Sequence, residues 1–287
     1  MKFASKFAVA AIAAYSFAGV ANANVVMNDW VFNPTGTGFA AGQVINEYLD
    51  INGNAFIQLT PTSASTFNFV EHAVFNIVQA DSNGQYFPIN YAGGNISATF
   101  EAYGTGNFSG AFTFTGGKIT MYHNPTNGQY GTTAGIYGAN LGTVIANFDV
   151  IAGGGGNVDG SGSPTNNGQI SVNARASTPG GLTAGYFFRG NGADLANEDI
   201  LSFAFTNANT VGSPTSRLVN EVACQYAAYA GPGCAGGTYR NVAGSHFFVS
   251  NNGQFKLASE VPEPGSLALL GLAMLGAGVV SRKRKQA

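Results

Sequence analysis

Short stretches of alternating apolar and polar residues recur along the middle of the chain, each bounded by Gly, Asn or Pro. They occur at 96–100, 112–114, 145–148, 170–172 and 201–205. A two-residue period places every second side chain on one buried face of a strand. Between the two ends of the chain, no segment shows the 3.6-residue period of an amphipathic helix. The pattern therefore predicts an all-β body, folded as a β-sandwich or an irregular barrel.

Three dipeptides separate pairs of these stretches and have the composition of tight turns. They are Asn83-Gly84, Gly116-Gly117 and Asn252-Gly253. Asn and Gly accept the positive φ angles of the primed turns that match the twist of paired strands. Each dipeptide is therefore predicted to close a β-hairpin.

Residues 152–168 are rich in Gly and contain almost no apolar side chains. This composition predicts an exposed, flexible loop. Asn157, Asp159 and Ser161 alternate ahead of Gly162, loosely as at the start of a calcium loop. Such a loop also needs further carboxylates and a distal bidentate Glu, which are absent here. No metal site is therefore predicted.

The N-terminus has the three parts of a secretory signal peptide. Lys2 and Lys6 precede an apolar run over 7–20, and Ala21-Asn22-Ala23 gives a small-x-small cleavage pattern. This order predicts a signal peptide over 1–23, cleaved after Ala23 so that the mature chain starts at Asn24. A buried N-terminal helix is the alternative, but it does not explain the charge and the cleavage pattern.

The C-terminus combines a proline-containing box, an uncharged apolar segment and a basic cluster. The box over 261–265 contains Val261, Pro262, Glu263 and Pro264, the apolar segment covers 266–281, and the cluster is Arg282, Lys283, Arg284 and Lys285. At 1.5 Å per residue the apolar segment spans about 25 Å, slightly less than a hydrocarbon core of about 30 Å. Snorkelling Arg and Lys side chains make up the difference. The segment is predicted to cross the inner membrane with its basic cluster in the cytoplasm and the body outside.

The order of these three parts resembles the PEP-CTERM sorting signal of Gram-negative, exopolysaccharide-producing bacteria. The tail differs from that signal only by Lys at 283 and 285, which keeps the charge. The resemblance implies recognition and cleavage by an exosortase-like enzyme; an ordinary tail anchor is the alternative. The chain would then comprise a signal peptide, a β-rich extracellular domain over 24–260 and a sorting signal over 261–287.

The composition is that of a folded extracellular domain. Charged residues make up 9 % of the chain, hydrophobic residues 45 % and aromatic residues 12 %. A disordered chain has too few apolar groups to fold, whereas this one has enough. Between 24 and 260, thirteen acidic residues face six basic ones and no basic stripe occurs. Nucleic acid is therefore not an expected partner.

The chain contains two cysteines, Cys224 and Cys234, separated by a Gly- and Pro-containing segment. In an exported protein such a pair predicts a disulfide that closes a small loop. The spacing is not that of a C-x-x-C redox or metal motif. No cofactor is expected.

No constellation of residues indicates catalysis. His72, His123 and His246 lack ligand-pair spacing, no Gly-x-Ser-x-Gly elbow occurs, and the acidic residues suggest no pair. The chain is therefore predicted not to be an enzyme, although a secreted hydrolase whose site forms only in three dimensions stays open as an alternative. A second alternative is polysaccharide binding, with exposed aromatic rings stacking on sugars. The candidate rings are Tyr86, Phe87, Tyr91, Tyr103, Tyr122, Tyr130, Tyr137, Tyr186, Phe187, Phe188, Tyr226, Tyr229 and Tyr239.

Parts of the body resemble a narrower group, the flocculation-associated PEP-CTERM proteins. The similar stretches are 122–125, 182–188 with 191–195, and 249–255. The group usually has Asp where His123 stands here. The resemblance implies a protein that is held briefly in the inner membrane and then delivered to the cell surface or matrix. There it would promote flocculation or biofilm formation within exopolysaccharide, its expected partner.

Overall fold

The computed structural model describes residues 23–82, 85–88, 94–165, 168–176 and 180–261. Residues 26–259 form one compact unit. Several predicted features lie outside the described residues: most of the signal peptide, including Ala21, the sorting-box residues after Val261, the apolar segment 266–281 and the basic cluster 282–285. Ala23 and Asn24, at the predicted cleavage point, belong to a short strand. Within the described ranges, no helix is long and apolar enough to cross a membrane.

The described residues form thirteen strands. Their bounds are β1 Ala23–Val26, β2 Trp30–Phe32, β3 Gln43–Ile45, β4 Tyr48–Pro61, β5 Thr66–Ser82, β6 Gln85–Pro88, β7 Asn95–Asn107, β8 Ala111–Asn124, β9 Thr143–Asn157, β10 Gln169–Ala176, β11 Phe187–Phe188, β12 Ile200–Thr210 and β13 His246–Val261. Short 3₁₀ turns occur at Phe39–Ala41 and Leu195–Asn197. A single helical turn, Ser216–Leu218, continues into a π-helix, Val219–Tyr226.

Eight antiparallel strands close into a barrel. Their order is β4, β5, β7, β8, β9, β10, β12 and β13, and β13 pairs back onto β4. The all-β prediction is confirmed. Of the two predicted alternatives, a β-sandwich and a barrel, the structure has the barrel. All five alternating stretches found in the sequence lie within barrel strands, in β7, β8, β9, β10 and β12.

The inward side chains of the barrel form a large apolar core, because each strand alternates between the two faces. Phe67, Phe69 and Phe114 are among its buried members. A separate three-stranded sheet of β11, β2 and β3 adds to this core through Trp30 and Phe187, whose rings lie 6.3 Å apart.

The π-helix and its disulfide cover part of the barrel's outer surface. Phe56 of β4, Val74 of β5 and Phe248 of β13 point outward, and they are buried together with Val222 of the π-helix. We call this outer cluster of buried residues the second core. A disulfide joins Cys224 and Cys234, whose Cα atoms lie 5.4 Å apart. The predicted disulfide is confirmed, and it restrains the loop that follows the π-helix.

Two of the three predicted hairpin turns are wrong. Gly116 and Gly117 lie within β8, and Asn252 and Gly253 lie within β13. Gly117 has a φ of +149° and sits at an irregularity in the pairing of β8. A Cβ on Gly253 would lie 2.1 Å from the carbonyl oxygen of Phe205. Both glycines therefore permit a bulge or a close approach of strands, which requires the same residue type as a turn.

The third turn is consistent with the structure. β5 and β6 pair antiparallel as far as Ser82 and Gln85. Asn83 and Gly84, which join them, lie outside the described residues.

The flexible loop predicted over 152–168 is wrong for its first six residues. β9 continues to Asn157, and Gly154 and Gly155 pair with β10. Both have positive φ angles, and a Cβ on Gly155 would lie 2.0 Å from the carbonyl oxygen of Phe112. These glycines therefore extend a strand that runs tightly between its neighbours.

Among the side chains that the structure describes, one carboxyl is buried with the apolar residues inside the barrel. Glu71, on β5, lines a cavity of about 50 Å³ with Phe75, Phe100 and Asn251. Burial raises the pKa of Glu71 to about 7. The Oδ1 atom of Asn251, in the same cavity, has no hydrogen-bond partner among the described residues. A cavity of this size has room for only a few water molecules, since one needs about 10–15 Å³, and is far smaller than the roughly 300 Å³ of an ordinary ligand pocket.

Candidate functional site

The outer surface of β5, β4, β13, β12 and β10 carries a dense set of amide side chains, which we call the amide face. The strand register places its members in three adjacent rows. They are Asn54, Ser250 and Asn209; Asn76, Asn52, Asn252, Asn207 and Gln169; and Asp50, Gln254, Phe205 and Ser171.

Strand alternation explains why these polar residues share one surface. On β13, Phe255 and Val249 point into the core, whereas Asn252 and Gln254 point outward. On β4, Ile51 is buried and Asn52 is half-exposed. Since antiparallel neighbours opposite each other point to the same side of a sheet, the outward residues of successive strands form continuous rows.

Two open depressions follow this surface. One, of about 530 Å³, is lined by Gln169, Phe205 and Asn207, among others. The other, of about 270 Å³, is lined by Asn52, Asn54 and Asn209, among others. Asn207 and Asn252 line both, so the two depressions are adjacent and lie on either side of the central row. Their walls are mainly side-chain amides and hydroxyl groups.

An exposed aromatic ring lies beside the amides. Phe205 has 51 % of its surface exposed, although a phenyl ring is usually buried. The Nζ atom of Lys256 lies 5.9 Å from the centre of this ring and 5.7 Å from that of Tyr48. Lys256 also forms an ion pair with Glu47. Its charge is therefore already compensated by a carboxylate, and about half of the Phe205 surface is still exposed to solvent.

The amide face combines hydrogen-bonding groups of both kinds with very little charge. Each Asn or Gln offers two N–H donors and one carbonyl acceptor, and Asp50 is the one ionisable side chain in the three rows. Such a surface can hydrogen-bond to hydroxyl groups, while a neighbouring aromatic ring covers an apolar C–H surface. These two properties together describe a surface for binding sugars.

The aromatic residues predicted to bind sugars mostly have structural roles. Tyr186, Phe187 and Phe188 are buried in the core around β11. Tyr229 and Tyr239 pack around Phe56 in the second core. Tyr103 is 52 % exposed but lies on β7, outside the amide face. For Tyr86, Phe87 and Tyr91 the structure describes no side chain.

Phe205, which the sequence analysis did not select, is the aromatic ring that lies on the face. The available signal was alternation, because Phe205, Asn207 and Asn209 are two residues apart on β12 and so share one side of the strand.

Each of the three histidines has a local partner. His72 lies 3.9 Å from Glu101, and its burial lowers the histidine pKa. His123 Nδ1 lies 3.3 Å from the Tyr186 hydroxyl oxygen. His246 lies 3.0 Å from the hydroxyl oxygens of both Tyr229 and Ser245, and desolvation lowers its pKa. Among the described residues, no three His, Cys, Asp or Glu side chains are grouped as a metal site requires.

The acidic residues singled out by the sequence also have structural partners. The carboxylate of Glu198 accepts hydrogen bonds from Arg189. The carboxylate of Asp194 accepts hydrogen bonds from the backbone N–H groups of Gly185 and Ala196, at 2.8 and 2.9 Å. Asp194 therefore connects the stretches 182–188 and 191–195, which the sequence analysis had noted together.

The stretch 249–255 lies in β13, where Ser250, Asn252 and Gln254 belong to the amide face. Of the three similar stretches noted in the body, this one thus contributes directly to the candidate surface. The other two pack around His123, Tyr186 and Asp194, where they stabilise the fold.

Comparison with known proteins identifies one segment of the chain. Residues 260–285 match the family model described as PEP-CTERM protein-sorting motif. No curated protein and no solved structure matches the chain.

Proposed function

We propose, from the premise that this chain is a PEP-CTERM protein exported and directed to an exosortase-type enzyme, that it is a non-enzymatic matrix protein. In this proposal its barrel binds exopolysaccharide and so promotes cell aggregation in flocs or biofilm. The protein is held in the inner membrane through 266–281 until the enzyme removes the tail. It then reaches the cell surface or the matrix.

The amide face is the observation that supports this proposal. A hydrated polysaccharide presents hydroxyl groups in every direction, and a row of amides satisfies them with both donors and acceptors. Phe205 adds an apolar surface for the C–H side of a sugar ring. Shallow, open depressions suit a polymer that passes over the protein, whereas a small-molecule site encloses most of its ligand.

A protein at the cell surface needs only one such face to aid aggregation. One polymer chain is long enough to contact many protein molecules on different cells. Weak binding at each face then becomes strong attachment through multivalency. The sorting tail and the amide face thus have complementary roles, one in delivery and the other in adhesion.

The test uses the full chain expressed in its native host. Asn207→Ala with Asn252→Ala removes two amides from the centre of the face. Each lost hydrogen bond costs about 0.5–1.5 kcal/mol, so the double variant should bind the host's exopolysaccharide about 10- to 100-fold more weakly. Flocculation should fall in parallel, while export and tail processing, measured by intact mass, stay unchanged.

Matched controls are Asn68→Ala and Tyr103→Ala. Asn68 is an exposed amide on β5, and Tyr103 has nearly the same exposed fraction as Phe205, 52 % against 51 %. Both lie outside the amide face, and both variants should bind and aggregate as the parent does. Equal binding by the double variant and its parent would refute the assignment of the face. Unchanged aggregation after deletion of 261–287 would refute the role of sorting.

A further inference from the structure

The central row of the amide face has a direction. Asn76, Asn52, Asn252, Asn207 and Gln169 lie directly opposite one another on five successive strands. With neighbouring strands about 4.8 Å apart, the row extends for about 19 Å across the strands. Each strand contributes at most three residues to the amide face, such as Phe205, Asn207 and Asn209 on β12.

The charges around the row disfavour an anionic ligand. Asp50 is the one ionisable side chain in the three rows, and it is acidic. The nearby cation, Lys256, is paired with Glu47. Recognition of carboxylate, sulfate or phosphate groups uses Arg or Lys. The thirteen acidic and six basic residues of 24–260 also repel a polyanion at long range.

The two depressions lie on either side of the central row and share its residues Asn207 and Asn252. One lies between this row and the row of Phe205, and the other lies between it and the row of Asn54. Each has lining residues on at least three neighbouring strands, so the open surface beside the row extends across the strands. Such a surface accepts the interior of a polymer, whereas a closed pocket would select a chain end.

We infer that the amide face binds the interior of a neutral, hydroxyl-rich polysaccharide whose chain lies along the amide row, across the barrel strands. This inference rests on the proposed function and specifies its ligand. Several sugar rings contact the row at once. Affinity therefore increases with oligosaccharide length until the row is filled, and it depends little on salt.

The experiment measures binding of the protein purified from its native host to four probes by isothermal titration or biolayer interferometry. The probes are the host's own exopolysaccharide, a panel of soluble neutral glucans, mannans and galactans, a length series of oligosaccharides from the best polymer, and polygalacturonate as the acidic polymer. Each is tested at low and high NaCl. A neutral polymer should bind with a Kd that changes less than about twofold with salt, because screening acts on charged pairs.

Two variants test the direction of the chain. Gln169→Ala shortens the row at one end. It should weaken the binding of long oligosaccharides about 3- to 10-fold, which corresponds to the loss of one hydrogen bond, and should leave the binding of short ones unchanged. Asn209→Ala removes an amide from β12 outside the row and should have a smaller effect at every length. The reverse result is that Asn209→Ala weakens the binding of long oligosaccharides and Gln169→Ala has no effect. It would show that the polymer lies along the strands and would overturn the inference.

The outcomes separate the inference from the proposal on which it rests. Binding to polygalacturonate alone, lost at high salt, would overturn the inference and leave a polysaccharide-binding function. Binding to the host's exopolysaccharide that persists unchanged in the Asn207→Ala, Asn252→Ala double variant would place the site elsewhere. No binding to the host's exopolysaccharide or to any other probe would overturn the proposed function itself.

Discussion

Replacement of Glu71 by Gln tests the most unusual feature of the barrel interior. Glu71 is buried among apolar side chains, and desolvation raises the pKa of its carboxyl from 4.5 to about 7. Gln has nearly the same shape and is neutral at every pH. The substitution therefore removes the titration and changes the packing very little.

The expected effect follows from proton linkage. Below pH 4.5, Glu71 is protonated in both the folded and the unfolded chain, so ionisation has no effect on stability. As the pH rises towards 7, the unfolded chain loses this proton while the folded chain keeps it, and the free energy of unfolding falls. Above about pH 7 the loss is complete. At 1.36 kcal/mol per pKa unit, the rise from 4.5 to about 7 corresponds to about 3 kcal/mol.

The assay is urea unfolding of the purified parent and Glu71→Gln proteins at several values between pH 4 and pH 8.5. The two should have similar free energies of unfolding at pH 4, and the variant should be more stable by about 3 kcal/mol at pH 8.5. Every other titrating group is common to both proteins, so the difference between the curves isolates Glu71. Glu101→Gln, at a site with 56 % of its side chain exposed, is the control and should change stability by less than about 0.5 kcal/mol.

A difference curve that does not depend on pH would refute this reasoning. A variant less stable than its parent at pH 8.5 would do so more strongly. Either result would mean that the folded protein holds Glu71 ionised, with compensation from a group that attracts the charge.

Two further substitutions test local features of the fold. The double variant Cys224→Ser, Cys234→Ser removes a disulfide between residues ten positions apart and should lower the free energy of unfolding by about 2–3 kcal/mol. The parent protein under reducing conditions should show the same loss. Full stability of the double variant would contradict the structural role of the bond. Gly253→Ala places a Cβ 2.1 Å from the carbonyl oxygen of Phe205 and should cost about 1–3 kcal/mol, measured by the shift in thermal midpoint. Gly212→Ala, where nothing lies within 4 Å, is the matched control and should leave the midpoint nearly unchanged, so equal effects of the two substitutions would refute the argument.

The sequence predicted the strands well because their signal is local. The alternation in 96–100 or 201–205 depends only on which side chains face water, and both stretches are strands in the structure. The disulfide was also predictable, since an exported chain with one nearby pair of cysteines has a single way to join them.

Glycine was the main source of error. Gly116-Gly117 and Asn252-Gly253 have the composition of turns, yet they lie inside β8 and β13. A glycine is selected by a turn, by a bulge and by close strand packing alike. The three cases differ only in which distant backbone lies nearby, and this information is not local.

The amide face was not predictable for a related reason. Its members are far apart in sequence, with Asn52, Gln169 and Asn252 on three different strands. Their alignment depends on strand order and register, including the closure of β13 onto β4. Phe205, on the same side of β12 as Asn207, was not among the aromatic rings selected from the sequence.

The closure of the barrel by its last strand has a consequence for the order of folding. β13 supplies the partner for both β12 and β4, so both strands keep an unpaired edge until residues 246–259 are present. Exposed strand edges promote association with other chains, and pairings between distant strands form slowly. A chain that crosses the membrane from its N-terminus exposes β4 first and delivers β13 last. During export the nearly complete body is therefore vulnerable to aggregation, and its barrel closes only when the final strand arrives, immediately before the sorting tail.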